Sequence, residues 1–272
     1  MTLPSNSSMQ YYPNNTAANY ITHLPARITL SDGEWEIALV EAHYSNTFLT
    51  VGDDAIIKLY TNEISGVSVE GNGITAQKMI SIKVEPGVYK DINHLLRVLN
   101  SDIQLKPFVT FTYDIDVITG SRMVEINTRM SVRKIEMSVT LALILGFDPK
   151  ATNLKKNNKA IRPANIHAAL PSHMYVYCDL VEPQLVGDTV APLLKIVNIE
   201  TLSSVDGSYN YGANKVVHFT DPHYVPLVKT SFESVEIDLR NSTGDKIPFH
   251  FGTTCMKVHF RRTSSASPTS AQ

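Results

Sequence analysis

The sequence predicts an all-β, mainly antiparallel fold of the sandwich class. The first observation is a period-two alternation of apolar and polar residues in short segments, which indicates strands with one buried face. The second is that clusters of Asn, Ser, Asp and Gly separate these segments and are typical of turns. In the clearest segment, residues 234–240, the side chains of Val235, Ile237 and Leu239 face one way, and the turn cluster 241–245 follows.

The same alternation recurs along the chain. It is present in residues 35–40, 80–85, 108–115, 124–127 and 255–261. Strands that bury one face and expose the other pair antiparallel in sandwiches and barrels, so these segments together favour stacked sheets. The alternation does not distinguish a jelly roll from another sandwich topology.

Two short helices are predicted between the strands. Asp91 is a favourable N-cap residue, and the apolar residues after it recur at i, i+3, i+4 and i+7. Those residues are Ile92, Leu95, Leu96 and Leu99. The second helix begins after Ser138, a candidate N-cap, and ends where Gly146 can adopt the left-handed conformation. Its apolar residues surround the axis, so we expect it to be buried.

Length and charge limit the classes of protein to which the chain can belong. Its 272 residues are 43% hydrophobic, which suffices for one large core. Lys and Arg number 24 against 26 Asp and Glu, so the formal charge of −2 provides no strong field for nucleic acid or an anionic membrane. No apolar stretch reaches the roughly 18 residues of a membrane span. We therefore expect no specific nucleic-acid binding and no membrane span.

We expect one domain between two flexible ends. Residues 1–20 are rich in Ser, Asn and Pro and predict a flexible N-terminal arm, and residues 263–272 predict a disordered C-terminal tail. The domain then covers residues 21–262. Within it, the segment 148–171 carries several lysines with little periodicity, which indicates a long basic loop in solvent.

The two cysteines predict free thiols rather than a disulfide. Cys178 shares its parity with apolar residues and should face inward, whereas Cys255 shares its parity with charged residues and should face outward. The N-terminal residues lack the pattern of a signal peptide, so synthesis in the cytosol, where thiols stay reduced, is the simplest interpretation.

The chain offers few candidate residues for chemistry. The best metal candidates are His218, Asp221 and His223, but their spacing matches no recognised ligand motif, and a polar loop is the favoured interpretation. Glu236 and Asp238 alternate with apolar residues, so a solvated strand face explains them better than acid–base catalysis does. No nucleophile motif occurs. We therefore predict no catalytic residue and no cofactor.

Tyrosines in the predicted N-terminal arm are candidates for contacts with another subunit. Tyr11, Tyr12 and Tyr20 lie in a segment whose composition is otherwise that of disorder. Aromatic residues are unusual in such segments unless a partner buries them. The arm either folds onto a neighbouring subunit or packs against its own sheet, and the sequence leaves both alternatives open.

Several segments resemble those of one known protein family when they are taken in order. They are residues 31–41, 92–100, 145–147, 175–188, 192–197 and 232–261. The strongest match is 175–188, with the sequence Tyr-Val-Tyr-Cys-Asp-Leu-Val-Glu-Pro-Gln-Leu-Val-Gly-Asp. Together they resemble the minor capsid (penton-type) proteins of the Polinton/Maverick and adintovirus group, over residues 24–262.

The resemblance implies a single jelly-roll β-sandwich with two short inserted helices. It implies homopentamers, called pentons, at the fivefold vertices of the icosahedral capsid of a DNA virus or virus-like transposon. The implied partner is a double jelly-roll major capsid protein, and the implied location is the virion, after synthesis in the host cytoplasm and assembly there or in the nucleus. None of the matching segments is catalytic, so no enzyme activity is expected.

Two other functions fit parts of the sequence. One is that of a receptor- or glycan-binding β-sandwich spike protein, which requires a surface aromatic platform that the sequence alone does not locate. The other is that of a metal-dependent enzyme built around His218, Asp221 and His223.

Overall fold

The computed structural model describes residues 1–64, 75–118, 120–156, 158–201 and 209–263. In chain order, the elements are β1 (Thr2–Pro4), β2 (Asn19–Thr29), β3 (Trp35–Ser45), β4 (Ile56–Ile64), β5 (Thr75–Lys83), α1 (Ile92–Ser101), β6 (Val109–Ile115), β7 (Arg122–Thr128), β8 (Val132–Met137), α2 (Val139–Leu145), β9 (His173–Cys178), β10 (Gln184–Val186), β11 (Thr189–Ala191), β12 (Leu193–Asn198), β13 (Asn214–His218), β14 (Val225–Pro226), β15 (Ser231–Arg240) and β16 (Cys255–Arg262). No helix among the described residues is long and apolar enough to cross a membrane.

The chain divides into two compact units rather than the one domain predicted over residues 21–262. Unit 1 comprises residues 1–48 and 171–272, and unit 2 comprises residues 49–170. Unit 2 therefore lies between β3 and β9 in the sequence. Residues of unit 2 bury an apolar core of their own.

Unit 1 is a jelly roll. Sheet 1 has the order β1–β16–β3–β13, with β14 also paired to β3, and sheet 2 has the order β12–β9–β15–β2. All of these pairings are antiparallel. When the eight strands on these two paths are numbered along the chain, the orders read 1-8-3-6 and 5-4-7-2, which is the arrangement that two Greek keys produce in a jelly roll. The predicted all-β class and jelly roll are confirmed.

A β-bulge decides which side chains of β3 face the core of unit 1. Ile37 and Leu39 face inward before an irregularity in the pairing with β16, and Ala42 and Tyr44 face inward after it. One extra residue in β3 shifts the alternation by one position. Glu41 consequently faces outward.

The cysteines lie as predicted. Cys178 is buried in the core of unit 1, where burial raises the pKa of its thiol to about 12, and Cys255 is partly exposed. Both are free thiols.

Unit 2 contains the sheet β5–β4–β8, the hairpin β6–β7 and both predicted helices. The N-cap of α1 is confirmed, because the Asp91 side chain accepts a hydrogen bond of 2.8 Å from the backbone N–H of His94. The left-handed end of α2 at Gly146 is confirmed by a φ of 82°. Ser138, however, does not cap α2 with its side chain; its hydroxyl oxygen accepts a hydrogen bond of 3.2 Å from the N–H of Ile56.

The basic segment 148–171 is not a wholly solvated loop. Leu154 and Ile166 are buried in the core of unit 2, and the N–H of Ala160 donates a hydrogen bond of 2.8 Å to the carbonyl of Val124. The segment therefore packs through its apolar residues while its lysines face outward. Of the predicted C-terminal tail 263–272, residues 264–272 lie outside the described residues.

Gly146 tests the packing of unit 2. We expect Gly146→Ala to destabilise the protein by about 3 kcal/mol or more. A β-carbon there would overlap the carbonyl oxygen of Arg162, and alanine would also have to adopt the left-handed conformation, which is unfavourable for it. Gly187→Ala is the matched control, since Gly187 has a φ of 63° but open space around it. The control should lower the free energy of unfolding by only about 1–2 kcal/mol. Equal shifts of the two variants in urea unfolding would contradict the explanation.

Candidate functional site

The first twenty residues belong to the jelly roll and do not form the flexible arm that composition predicted. β1 is the edge strand of sheet 1, where Leu3 is fully buried. The N-terminal ammonium of Met1 donates a hydrogen bond of 2.7 Å to the carbonyl of Val258. Composition misled here because a single buried leucine, flanked by turn-forming residues, is enough to anchor so short a strand.

The three tyrosines of this segment have different environments. Tyr20 is 1% exposed, and its hydroxyl donates a hydrogen bond of 3.0 Å to the carbonyl of Leu3. Burial raises the pKa of the Tyr20 hydroxyl well above its ordinary value. Tyr11 is 56% exposed with its ring 4.3 Å from that of His23, and Tyr12 is partly exposed. The structure thus brings Tyr11 and Tyr12 to the surface and makes Tyr20 a core residue.

Two polar side chains cover the outer edge of β2. The carboxamide of Asn15 accepts a hydrogen bond of 2.9 Å from the N–H of Ile21 and donates one of 2.9 Å to its carbonyl. The hydroxyl of Ser8 accepts a hydrogen bond of 2.8 Å from the N–H of His23. An uncovered edge strand invites pairing with another chain. The N-terminal segment therefore occupies an edge of sheet 2 without itself being a strand there.

The predicted metal candidates do not converge. His218 is at the end of β13 and places its Nδ1 atom 3.2 Å from a carboxylate oxygen of Glu41. Asp221 and His223 are exposed in the following segment. Within the described part of the chain, no three His, Cys, Asp or Glu side chains form a group that could hold a metal ion.

Glu41 is the centre of a charged cluster on the outward face of sheet 1. Its carboxylate contacts His43 on its own strand, His218 on β13 and, at 3.6 Å, the ammonium of Lys257 on β16. The hydrogen bond with His43, followed by the charges of Lys257 and His218, lowers the pKa of Glu41 despite opposing desolvation. Sequence reasoning missed this cluster because the bulge in β3, which turns Glu41 outward, leaves no mark in the alternation.

The outward face of sheet 2 carries a cavity of about 350 Å³. Its lining combines an aromatic ring, small apolar groups, three carboxylates and one guanidinium. The lining residues are Tyr177, Cys178, Asp179, Ala191, Pro192, Glu236, Asp238, Arg240 and Gly244. Glu236 and Asp238 were expected on a solvated face, but one carboxylate oxygen of Asp238 is buried. Asp238 lies opposite Tyr177 across β15 and β9, so the two side chains are neighbours on this face.

Two hairpins expose apolar side chains. Leu185 is 82% exposed and Val190 is 62% exposed, and they face each other across β10 and β11. In unit 2, Val117 and Ile118 in the turn between β6 and β7 are more than nine-tenths exposed. These exposed apolar pairs are candidate contacts for other molecules.

Two of the solved structures that match the chain are viral proteins. The crystal structure of the selenomethionine-labelled mavirus penton protein has 12% sequence identity and a TM-score of 0.46, and the match covers 97% of this chain and 99% of that one. A cryo-EM structure of the Sputnik virophage has 12% identity and a TM-score of 0.43, with 92% and 94% covered. TM-scores below 0.5 do not establish a shared fold or function. No protein-family model and no curated protein matches the sequence.

Asn15→Ala tests the covering of the β2 edge. We expect the free energy of unfolding to fall by about 1–2 kcal/mol, because the variant leaves the backbone N–H and carbonyl of Ile21 without their side-chain partner. We also expect stronger self-association, since the strand edge becomes accessible. Urea unfolding and light scattering measure the two effects. The control is Asn14→Ala at an exposed neighbouring position, which should cost less than about 0.5 kcal/mol; equal behaviour of both variants would refute the edge-covering role.

Glu41→Gln tests the charged cluster by its pH dependence. A carboxyl whose pKa is lower in the folded than in the unfolded state stabilises the fold above its unfolded pKa of about 4.3. That stabilisation is lost as the pH falls through the folded value. We therefore expect wild type to be more stable than the variant at pH 7, and the difference in unfolding midpoint to shrink below about pH 4. A difference that stays constant over this range would show that the cluster does not act through the Glu41 charge.

Proposed function

We propose that this chain is a structural subunit of a viral capsid, a minor capsid protein of the penton type. The observation that carries the proposal is the jelly-roll strand order of unit 1, because this double-sheet fold is a recurrent architecture of viral capsid proteins. The proposal assigns the chain no catalytic role and no cofactor.

Four of the six segments that resemble the Polinton/Maverick and adintovirus proteins contain strands of the jelly roll, and the other two, 92–100 and 145–147, belong to unit 2. Residues 35–41 lie in β3, residues 175–188 extend from β9 through β10, and residues 232–261 contain β15 and most of β16. Sheet 1 and sheet 2 both contain such strands. The resemblance and the strand order are separate observations, and both support a capsid jelly roll.

The proposed assembly is a homopentamer at a fivefold vertex. A cyclic ring repeats one heterologous contact, so each subunit must present two different surfaces that fit each other. The exposed apolar pairs, Leu185 with Val190 in unit 1 and Val117 with Ile118 in unit 2, support self-association. Weak contacts of this kind become strong when several act together in a closed ring.

The proposed location is the capsid vertex of a virion, with a double jelly-roll major capsid protein as the neighbour. Tyr11 and Tyr12 are the proposed contacts of the N-terminal segment with another subunit, because both reach the surface. Tyr20 is removed from that role by its burial.

Native mass measurement of the recombinant protein tests the ring. We expect a mass five times that of the 30.2 kDa chain. Replacing both Leu185 and Val190 by Ser should shift the population toward monomers without changing the unfolding midpoint, because both side chains are mostly exposed. A wild-type protein that remains monomeric at high concentration would overturn the homopentamer.

A further inference from the structure

The two units carry opposite formal charges. Residues 49–170 contain 15 Lys and Arg and 12 Asp and Glu, a formal charge of +3, whereas the rest of the chain contains 9 and 14, a charge of −5. The whole chain is nearly neutral and hides this difference. This charge difference can stabilise a ring built on one heterologous contact, because an acidic surface on one copy can pair with a basic surface on the next.

Part of the acidic charge of unit 1 lies at the cavity on sheet 2. Three carboxylates line it, and one of them, Asp179, pairs with Lys229 at 2.9 Å. Arg240 is the cation in the lining, and its Nε atom donates a hydrogen bond of 2.7 Å to Asp238. Glu236 has no cation within ion-pair distance among the described residues and accepts only an amide hydrogen bond from Asn19. The cavity therefore retains negative charge.

Asp238 leaves one acceptor unused. Its Oδ2 atom accepts the hydrogen bond from Arg240, but its Oδ1 atom is buried and has no hydrogen-bond partner among the described residues. A buried acceptor without a donor is unfavourable. The side chain of Tyr177 and the apolar groups of Ala191 and Pro192 surround the same space. An ammonium group at the end of a long apolar side chain fits the acidic and the apolar parts of this lining together.

Two lysines of the basic segment are available as such groups. Lys150 and Lys156 are exposed, and neither pairs with a carboxylate within the described part of the chain. Their neighbours differ, because Lys159 pairs with Asp116 and the ammonium of Lys155 donates to the carbonyl of Val132. Of the four lysines in the segment, two are therefore bonded within unit 2 and two have exposed ammonium groups without a carboxylate partner among the described residues.

We propose that the cavity on sheet 2 binds the segment of Lys150 and Lys156 from a second copy of the chain. Charge complementarity is the argument for this occupant, because the carboxylates of Glu236 and Asp238 line the cavity and both lysines are exposed cations. The contact is heterologous, joining unit 1 of one copy to unit 2 of the next. It deepens the proposed function, on which it rests, by naming one pair of surfaces in the ring.

Charge reversal tests the contact. One variant carries Lys150→Glu and Lys156→Glu, and the other carries Glu236→Lys and Asp238→Asn. We expect each variant to raise at least tenfold the concentration at which half the chains are assembled. In a chain with all four changes, we expect this concentration to return to within about threefold of the wild-type value. The matched control is Lys90→Glu with Lys106→Glu, which changes the same net charge at exposed positions of unit 2 and should leave assembly unchanged.

Zero-length cross-linking of amines to carboxylates tests the same contact without requiring a closed ring. In a mixture of ¹⁴N- and ¹⁵N-labelled chains, we expect mixed-isotope cross-links between Lys150 or Lys156 and Glu236 or Asp238. Cross-links confined to single chains, or a glycan that binds the cavity while the variants assemble like wild type, would overturn the inference. If both charge-reversal variants still form rings like the wild type, the inferred contact fails but the proposed function stands. If the cross-links form in a protein that makes no ring of five, the contact stands but the homopentamer fails.

Discussion

The pairing of the first strand with the last is the constraint on which the rest of unit 1 depends. β1 completes sheet 1 against β16, with Leu3 in the core and the N-terminal ammonium bonded to Val258. Tyr20, in sheet 2, bonds to the carbonyl of Leu3 and so connects the two sheets at this end. Once both ends of residues 5–18 are held, Asn15 and the rest of that segment have to run along the edge of β2 and cover it.

The alternation of apolar residues predicted most of the long strands because it records which face is buried, and burial dominates their stability. The two helices were predictable for a similar reason, since Asp91 and Gly146 have conformational roles that few other residues fill. β1 was not predictable, because three residues contain too little alternation to distinguish a strand from a tail. Nor was the second unit, because the order of strands along a chain does not say which of them share a core.

The charged features of the surface could not be predicted from the sequence for a different physical reason. Glu41, His218 and Lys257 meet because three strands lie side by side and a bulge rotates one of them, and both conditions are long-range. The cavity at Asp238 likewise needs the register between β15 and β9. The alternation within one strand predicts which of its side chains share a face, but it does not predict which side chains of other strands lie beside them.

The closure of sheet 1 by residues from opposite ends of the chain has a consequence for synthesis on the ribosome. Unit 2 is contiguous, so all of its strands and helices have left the exit tunnel soon after residue 170 is added. β1 has no partner until residues 255–262 emerge, well after unit 2 has been synthesised. Until β15 emerges, the nascent chain also carries β2 without its partner strand, and such an unpaired edge favours association with other chains.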